Sequence, residues 1–458
     1  MQSLPPTASA SPHPASPRWT PRAVLLLVCI GVAMALGAGW QAHRKVLKNI
    51  AAHEAVETTD FDRWLVEIPS HLRHRADIVN DRFPNPPPAM LLLAPFTTLP
   101  RAWAPLPWAL CKVAFAGVIL ACVLRILRNA DAPLAPVPLL LMLAAWFWPV
   151  LGDMQEGQTN LLMLAPLAAG LLAVQSPRGS RQFCGGLLIA LAVAIKVTPI
   201  IFLAYAIVRR RRWMVWGMVA GLPLFLWLLP GCFVGFRQEW IWLRDWMLVM
   251  VVPYIGEGRI RVFEGQSVAS FITRFLSHVP AFASGSGGAV VEHYVNVVSF
   301  PLAVSQRIVR GVLAALGVTG LWWLRKPLGD FRSRRYVAEI AAVTVFMLWA
   351  SAWTWVPHYV TLIFALAAAG VVASDRGLPR MQQRRALVLL GVAAVLFLFT
   401  SDAAKLFSPL GTDYARTLNL PLWASVALLA AMLQRGVFPA AGAASERSGE
   451  PALAQQAA

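Results

Sequence analysis

Chemistry in this sequence is carried by a few polar residues set among apolar runs. Lys196 lies inside the apolar stretch 183–208, just before Thr198 and Pro199. Placing an ammonium at membrane depth costs ~2.5–3.5 kcal/mol on insertion scales, so such a lysine indicates an anionic ligand or a fixed partner. The alternative is that the side chain extends to the headgroup layer while its stem lies against lipid.

A second polar group, in residues 58–64, contains Asp60, Arg63 and Trp64 and follows the first apolar run. A carboxylate near the end of a membrane span is well placed to deprotonate a hydroxyl. Acidic loop residues are usually solvated surface instead. That interpretation is favoured for Asp62, Asp77 and Asp81.

Two further polar groups stand at predicted membrane boundaries. Gln158 and Asn160, in the cluster 153–160, can hydrogen-bond sugar hydroxyls. Thr159 or Asn160 can instead cap the helix that follows, and the cap is slightly favoured. His358 lies among aromatic residues, where a histidine is more often packed than catalytic; its predicted position on the outer side keeps it as a candidate.

Composition indicates an all-α polytopic membrane protein. Of 458 residues, 58% are hydrophobic and 14% charged, which is too little polar surface for a soluble globule. The net charge of +18 comes mainly from arginine clusters between apolar runs. This pattern is typical of cytoplasmic loops and gives no reason to expect a nucleic-acid partner. The five cysteines show no close paired spacing, so neither a disulfide framework nor a zinc site is indicated.

Apolar runs of membrane-spanning length predict about ten full transmembrane helices plus re-entrant or half-helices. The predicted spans are 23–40, 105–124, 136–150, 159–174, 214–236, 298–324, 337–355, 357–374, 386–400 and 418–434. Residues 23–435 then form the transmembrane domain. Residues 1–22 and 436–458 are expected to be disordered cytoplasmic tails.

Flanking charge predicts the topology. If the ten spans alternate, the arginine clusters become cytoplasmic and the loops 41–88 and 237–297 lie outside. Arg178/Arg181 and Arg209–Arg212 flank segment 183–208, so a hairpin broken near Lys196 and Pro199 keeps both clusters on one side. Residues 89–99 are too few to span and predict a re-entrant or interfacial helix. Trp240, Trp242 and Trp246 suit a helix that lies in the interface.

The order and spacing of these groups resemble glycosyltransferase family 87, polyprenol-phosphate-mannose-dependent mannosyltransferases of the GT-C class. The motifs that carry the resemblance are Asp60-Phe61 with Trp64, Asn85-Pro86-Pro87 before Leu99-Pro100, Gly157-Gln158-Thr159-Asn160-Leu161, Ile195-Lys196-Val197-Thr198-Pro199 with Arg209–Arg212, Gln266-Ser267, and His358-Tyr359. The resemblance extends over roughly residues 20–435.

The resemblance implies an inverting transfer of a sugar, mannose in the family, from a polyprenyl phosphate to a hydroxyl of a lipid-linked or cell-envelope glycan. Asp60 would be the base, and Lys196, Arg63 and His358 would bind the donor phosphate. Gln158, Asn160, Trp64 and Gln266 would bind the sugar or acceptor. No cofactor is expected, and no metal is demanded, although Asp60 and Asp62 form an Asp-x-Asp triplet. The expected place is a bacterial inner membrane, with the site facing outside.

Two other functions compete with this interpretation. A transporter or flippase of a lipid-linked or anionic substrate would use a buried Lys196 without any base. A polysaccharide ligase or polymerase would depend on outer arginines and a histidine, with no essential aspartate.

Overall fold

The computed structural model describes residues 59–74, 83–256 and most of 259–434, together with parts of 29–48 and residue 438. Its gaps after residue 256 are 257–258, 261, 263–264, 285–290, 402–405, 407 and 409. The predicted tails therefore lie outside the described residues, apart from residue 438. So do Asp77, Asp81 and most of the predicted first span.

The described chain is predominantly helical. The α-helices, in chain order, are α1 (Asp60–His74), α2 (Pro88–Leu93), α3 (Pro105–Asn129), α4 (Pro136–Glu156), α5 (Asn160–Val174), α6 (Gly179–Ile195), α7 (Ile201–Val208), α8 (Arg212–Pro223), α9 (Leu229–Val234), α10 (Phe236–Trp246), α11 (Val268–Leu276), α12 (Leu302–Leu324), α13 (Arg334–Ala350), α14 (Ile363–Ser374), α15 (Arg380–Phe399), α16 (Gly411–Thr417) and α17 (Leu420–Met432). Short 3₁₀ segments cover Ala94–Thr98, Thr198–Ile200 and Val356–Leu362, and π-helical segments cover Leu224–Leu228 and Met247–Gly256. Strands β1 (Phe282–Ser284) and β2 (Val291–His293) form an antiparallel pair in which Phe282 lies opposite His293.

Nine of the ten predicted spans coincide with described helices. By length and composition, six helical stretches of the described chain can cross a membrane, where α8 to α9 with the π-helical segment between them count as one and the 3₁₀ segment Val356–Leu362 with α14 as another. A seventh is added if α16 and α17, bent by 51°, form one span. Helices α5 and α13 have only 15 and 17 residues. Most of their residues are buried against other helices, so lipid thickness does not set their length.

The predicted hairpin is confirmed. Helices α6 and α8 run parallel, since Gly179 lies against Trp213 at their starts and Gly186 against Gly217 farther along. The chain therefore ascends in α6 and returns through α7 before α8 begins. Lys196, extended at φ −153° and ψ 126°, lies at the break. Pro199 lacks the N–H that would continue the α6 ladder, which explains why the helix ends there.

The arginine-rich loops meet at one end of the bundle. Arg209 donates to the Lys326 carbonyl at 2.9 Å and, through Nε, to Glu339 at 2.9 Å. Arg332 donates to the Gln175 carbonyl at 3.3 Å, and Arg334 to the Asp131 carbonyl at 2.9 Å. These contacts confirm that the loops share one end, as the charge pattern predicts.

Helix α10 is more deeply packed than an interfacial tryptophan helix would be. Trp240 is 62% exposed, but Trp242 and Trp246 are buried. Trp242 belongs to an aromatic core with Phe61 and Trp64 of α1. The expectation of three interface-facing tryptophans is therefore wrong for two of them.

Candidate functional site

A cavity of about 470 Å³ opens at the end of the bundle opposite the arginine-rich loops. Five of the eight residues predicted for the site line it: Asp60, Arg63, Gln158, Lys196 and His358. Its ionisable lining, among the described residues, also includes Arg259 and Arg310, so four basic side chains and His358 surround one carboxylate. Its wall also includes apolar side chains of α7, α12 and α13, together with Tyr254, Trp246, Trp353 and Trp355.

Asp60 stands at the first residue of α1, and two side chains hold its carboxylate. Arg63, one turn later, lies 2.9 Å from Oδ1 through Nη2. Gln158 donates to Oδ2 from its amide nitrogen. The Asp60 side chain keeps 12% exposure toward the cavity. An oriented carboxylate that opens into a cavity has the placement a general base requires.

The α4–α5 turn presents Gln158 to Asp60. Gly157 ends α4 in the left-handed region at φ 69°, where the Gly157 N–H bonds to the Met154 carbonyl and the Gln158 N–H to the Asp153 carbonyl. A Cβ at Gly157 would overlap Phe61, the neighbour of Asp60. Only glycine fits this close approach, which brings the turn against α1.

Lys196 contacts the same turn through Asn160. Its Nζ donates to Asn160 Oδ1 at 2.7 Å, from the break between α6 and α7. Asn160 is fully buried and lies outside the main cavity; it lines a second cavity of about 10 Å³ with Thr198 and His358, which has room for about one water. Lys196 also lines the main cavity, so the lysine is available to an anion there.

His358 faces the cavity from the 3₁₀ segment that precedes α14. The Trp355 N–H donates to its Nδ1 at 3.0 Å. Because Nδ1 accepts this bond, the proton of the neutral ring is on Nε2. The histidine can therefore act as a hydrogen-bond donor without carrying charge.

Two predicted site residues lie elsewhere. Trp64 is 0% exposed and packs edge-on against Phe83 at 5.6 Å, outside the cavity lining. Gln266 is also 0% exposed and outside the lining. Its N–H donates to the Thr354 carbonyl at 2.6 Å and its side chain to the Arg416 carbonyl at 2.8 Å, so it connects the segment before α11 to the bundle.

Sequence reasoning missed a buried ion pair beneath the site. Lys112 of α3 lies 2.8 Å from Asp153 of α4, and both side chains are fully buried. The signal was present, since a lysine inside an apolar span meets the same criterion that singles out Lys196. Within the described chain, no group of three or more His, Cys, Asp or Glu side chains is arranged to hold a metal ion.

Comparison with known proteins places this geometry in a family. No curated protein sequence matches the chain. The chain is similar in structure to ArnT from Cupriavidus metallidurans bound to undecaprenyl phosphate, with 15% identity and a TM-score of 0.38 over 89% of this chain and 76% of that one. The model of glycosyltransferase family 87 matches residues 83–351, more than half of the sequence. The chain therefore belongs to glycosyltransferase family 87 and is a multi-pass membrane glycosyltransferase.

Proposed function

We propose that this glycosyltransferase moves a sugar from a polyprenyl-phosphate donor to a hydroxyl of a lipid-linked or cell-envelope glycan, with inversion at the anomeric carbon. The observation that carries the proposal is that Asp60 and Lys196, the base and the phosphate-binding group implied by the sequence resemblance, line one cavity. Mannose is the sugar that the resemblance favours.

The reaction needs one base and one cluster of positive charge. The Asp60 carboxylate accepts the proton of the acceptor hydroxyl as its oxygen bonds to the anomeric carbon. The bond from that carbon to the phosphate oxygen breaks, and the polyprenyl phosphate leaves with the electron pair. This leaving group is an anion and needs no proton, so fixed positive charge suffices to stabilise it.

The cavity offers that charge from several directions. Lys196, Arg63 and the Nε2–H of His358 are the proposed donors to the phosphate, with Arg259 and Arg310 on the same lining. The wall also contains Ile200, Ile201, Val309 and Leu313, which suit the apolar chain next to that phosphate. The Arg63–Asp60 ion pair holds the base in place while the guanidinium remains beside the leaving group.

The proposed side of the membrane follows from charge. Arginine-rich loops favour the cytoplasm, and the cavity lies at the other end of the bundle. In a bacterial inner membrane, the site would therefore face outside, where polyprenyl-phosphate sugars meet envelope acceptors.

The experiment is turnover by the purified full chain in proteoliposomes with undecaprenyl-phosphate-mannose and extracted envelope glycolipids, read by mass spectrometry. A new glycolipid one hexose heavier supports the proposal. Movement of the donor across the bilayer without a new bond would instead identify a transporter or flippase. Parallel assays with other polyprenyl-phosphate sugars as donors identify which sugar is transferred.

The base is tested with Asp60→Asn against Asp62→Asn. Asp62 is the matched control, because it is only two residues away but lies outside the cavity lining. Its side chain is 1% exposed and pairs with Arg101 at 2.5 Å. We expect Asp60→Asn to lose transfer by about 100-fold or more, the range of general-base contributions. Full turnover in Asp60→Asn would remove Asp60 as the base.

A further inference from the structure

The Lys112–Asp153 pair is isolated from solvent and does not line the cavity. Lys112 Nζ donates to Asp153 Oδ1 at 2.8 Å and also to the backbone carbonyl of Asp153. Both side chains are 0% exposed. Desolvating two charges is costly, and a buried pair is often no more stabilising than apolar side chains of similar size. Stability alone is therefore a weak explanation for this pair.

The pair lies against the α4–α5 turn, which carries the site residues Gln158 and Asn160. Trp108, one helical turn before Lys112 on the same face of α3, donates from Nε1 to the Gly157 carbonyl at 2.9 Å. The Asp153 carbonyl also accepts the Gln158 N–H at 3.1 Å. One face of α3 thus holds the end of α4 and the turn that follows it.

Asn160 links the turn that this pair holds to Lys196. It begins α5, two residues after Gln158, and its Oδ1 accepts from Lys196 Nζ at 2.7 Å. Asn160 and Asp153 are both fully buried, so the turn held by Asp153 and Trp108 fixes where the Asn160 side chain lies.

We propose that Lys112 and Asp153 are positioning residues, which fix the turn that carries Asn160 and thereby hold the Lys196 ammonium where the donor phosphate binds. The inference rests on the proposed function for the identity of that anion. Neither residue lines the cavity, so their effect on donor binding is carried by the turn and by Asn160, which contacts Lys196.

The double variant Lys112→Met/Asp153→Leu tests this in the full-length protein in lipid nanodiscs. Removing both charges together leaves no uncompensated buried ion, so the variant is expected to fold. We expect the donor KM to rise roughly 10-fold, the effect of one lost charge-assisted hydrogen bond, and the acceptor KM to stay unchanged. A purely structural pair would reduce the active fraction and leave the donor KM as it is, which would overturn the proposal.

Coupling to Asn160 gives a second kinetic readout. In an Asn160→Ala background, the double variant should raise the donor KM no further, because its route to Lys196 is already broken. Additive effects would contradict transmission through the amide.

A chemical readout separates this inference from the proposed function. Reductive methylation of Lys196, quantified by peptide mass spectrometry, should increase several-fold in the double variant, with exposed Lys326 as internal control. Asp153→Asn, which keeps the side-chain shape, should also increase the labelling. Unchanged Lys196 labelling in both variants would overturn the positioning role. Absence of turnover with every polyprenyl-phosphate donor would instead reject the proposed function, and the labelling would still decide this inference.

Discussion

Gln158 donates a hydrogen bond to the Asp60 carboxylate, although 98 residues separate the two. The bond joins the start of α1 to the α4–α5 turn, and it orients the proposed base toward the cavity. Replacing Gln158 by Leu should lower kcat roughly 10- to 100-fold, since a hydrogen bond to a charged group contributes about 1.5–3 kcal/mol. Steady-state rates at saturating donor and acceptor measure this.

The matched control is Gln155→Leu. Gln155 lies near the end of α4, is exposed, and its side chain bonds, among the described residues, to the Gln41 side chain alone at 3.3 Å. Its loss should leave kcat within about twofold, because surface substitutions are usually within about 0.5 kcal/mol. Equal losses in the two variants would show that the Gln158 contact does not orient the base.

Lys196 should govern donor binding more than acceptor binding. Lys196→Met removes the charge that faces the cavity while keeping an unbranched apolar side chain. We expect the donor KM to rise roughly 10- to 100-fold and the acceptor KM to be unaffected. Kinetics with varied donor and fixed acceptor give the answer, with Lys326→Met at the arginine-rich end as control. An unchanged donor KM would restore the interpretation that the side chain only extends toward the headgroups.

The break at Lys196 was predictable because its causes are local. Pro199 limits the helix, and the two arginine clusters flanking the segment require it to return to the same side. The sequence also contained the signal for Lys112, but it could not show that Asp153 lies beside it. That pairing depends on how α3 packs against α4.

For Trp64 and Gln266, the sequence motifs did not predict where the side chains lie. Both stand in motifs that resemble the family pattern, yet both side chains are fully buried outside the cavity. A motif reports which residues occur together, whereas side-chain direction is set by packing: Phe83 meets Trp64, and Tyr359 donates to the Gln266 carbonyl at 2.6 Å. Helix length shows the same dependence on packing, since α5 and α13 have only 15 and 17 residues and most of these are buried against other helices.

Gly157 should be intolerant of any side chain. In Gly157→Ala the left-handed φ of 69° costs ~1–2 kcal/mol, and the new Cβ also overlaps Phe61. The turn must then move away from α1, so we expect lower thermal stability and a loss of turnover per folded molecule. Gly235→Ala is the control, because φ there is 93° but no atom of the described residues lies within 4 Å of the added Cβ. It should lose stability and retain turnover; equal turnover losses would show that backbone strain, not the Phe61 contact, sets the effect.

Glu239 should make stability depend on pH. It is 1% exposed on α10, outside the spans, and its Oε1 has no hydrogen-bond partner among the described residues. Burial raises the pKa of this carboxyl from 4.5 to about 8. The folded state therefore binds the proton more tightly than the unfolded state, so stability is greatest below pH 4.5 and declines as the pH rises to about 8.

The variant Glu239→Gln removes this decline. Its Tm should exceed that of the unmodified protein at pH 9 but not at pH 4.5, and each kcal/mol of stability should shift the Tm by roughly 2–4 °C. Thermal unfolding in detergent at both pH values measures the difference. The exposed Glu292 gives the control variant Glu292→Gln. The same Tm difference between Glu239→Gln and the unmodified protein at both pH values would mean that the Glu239 carboxyl is not buried as a neutral acid.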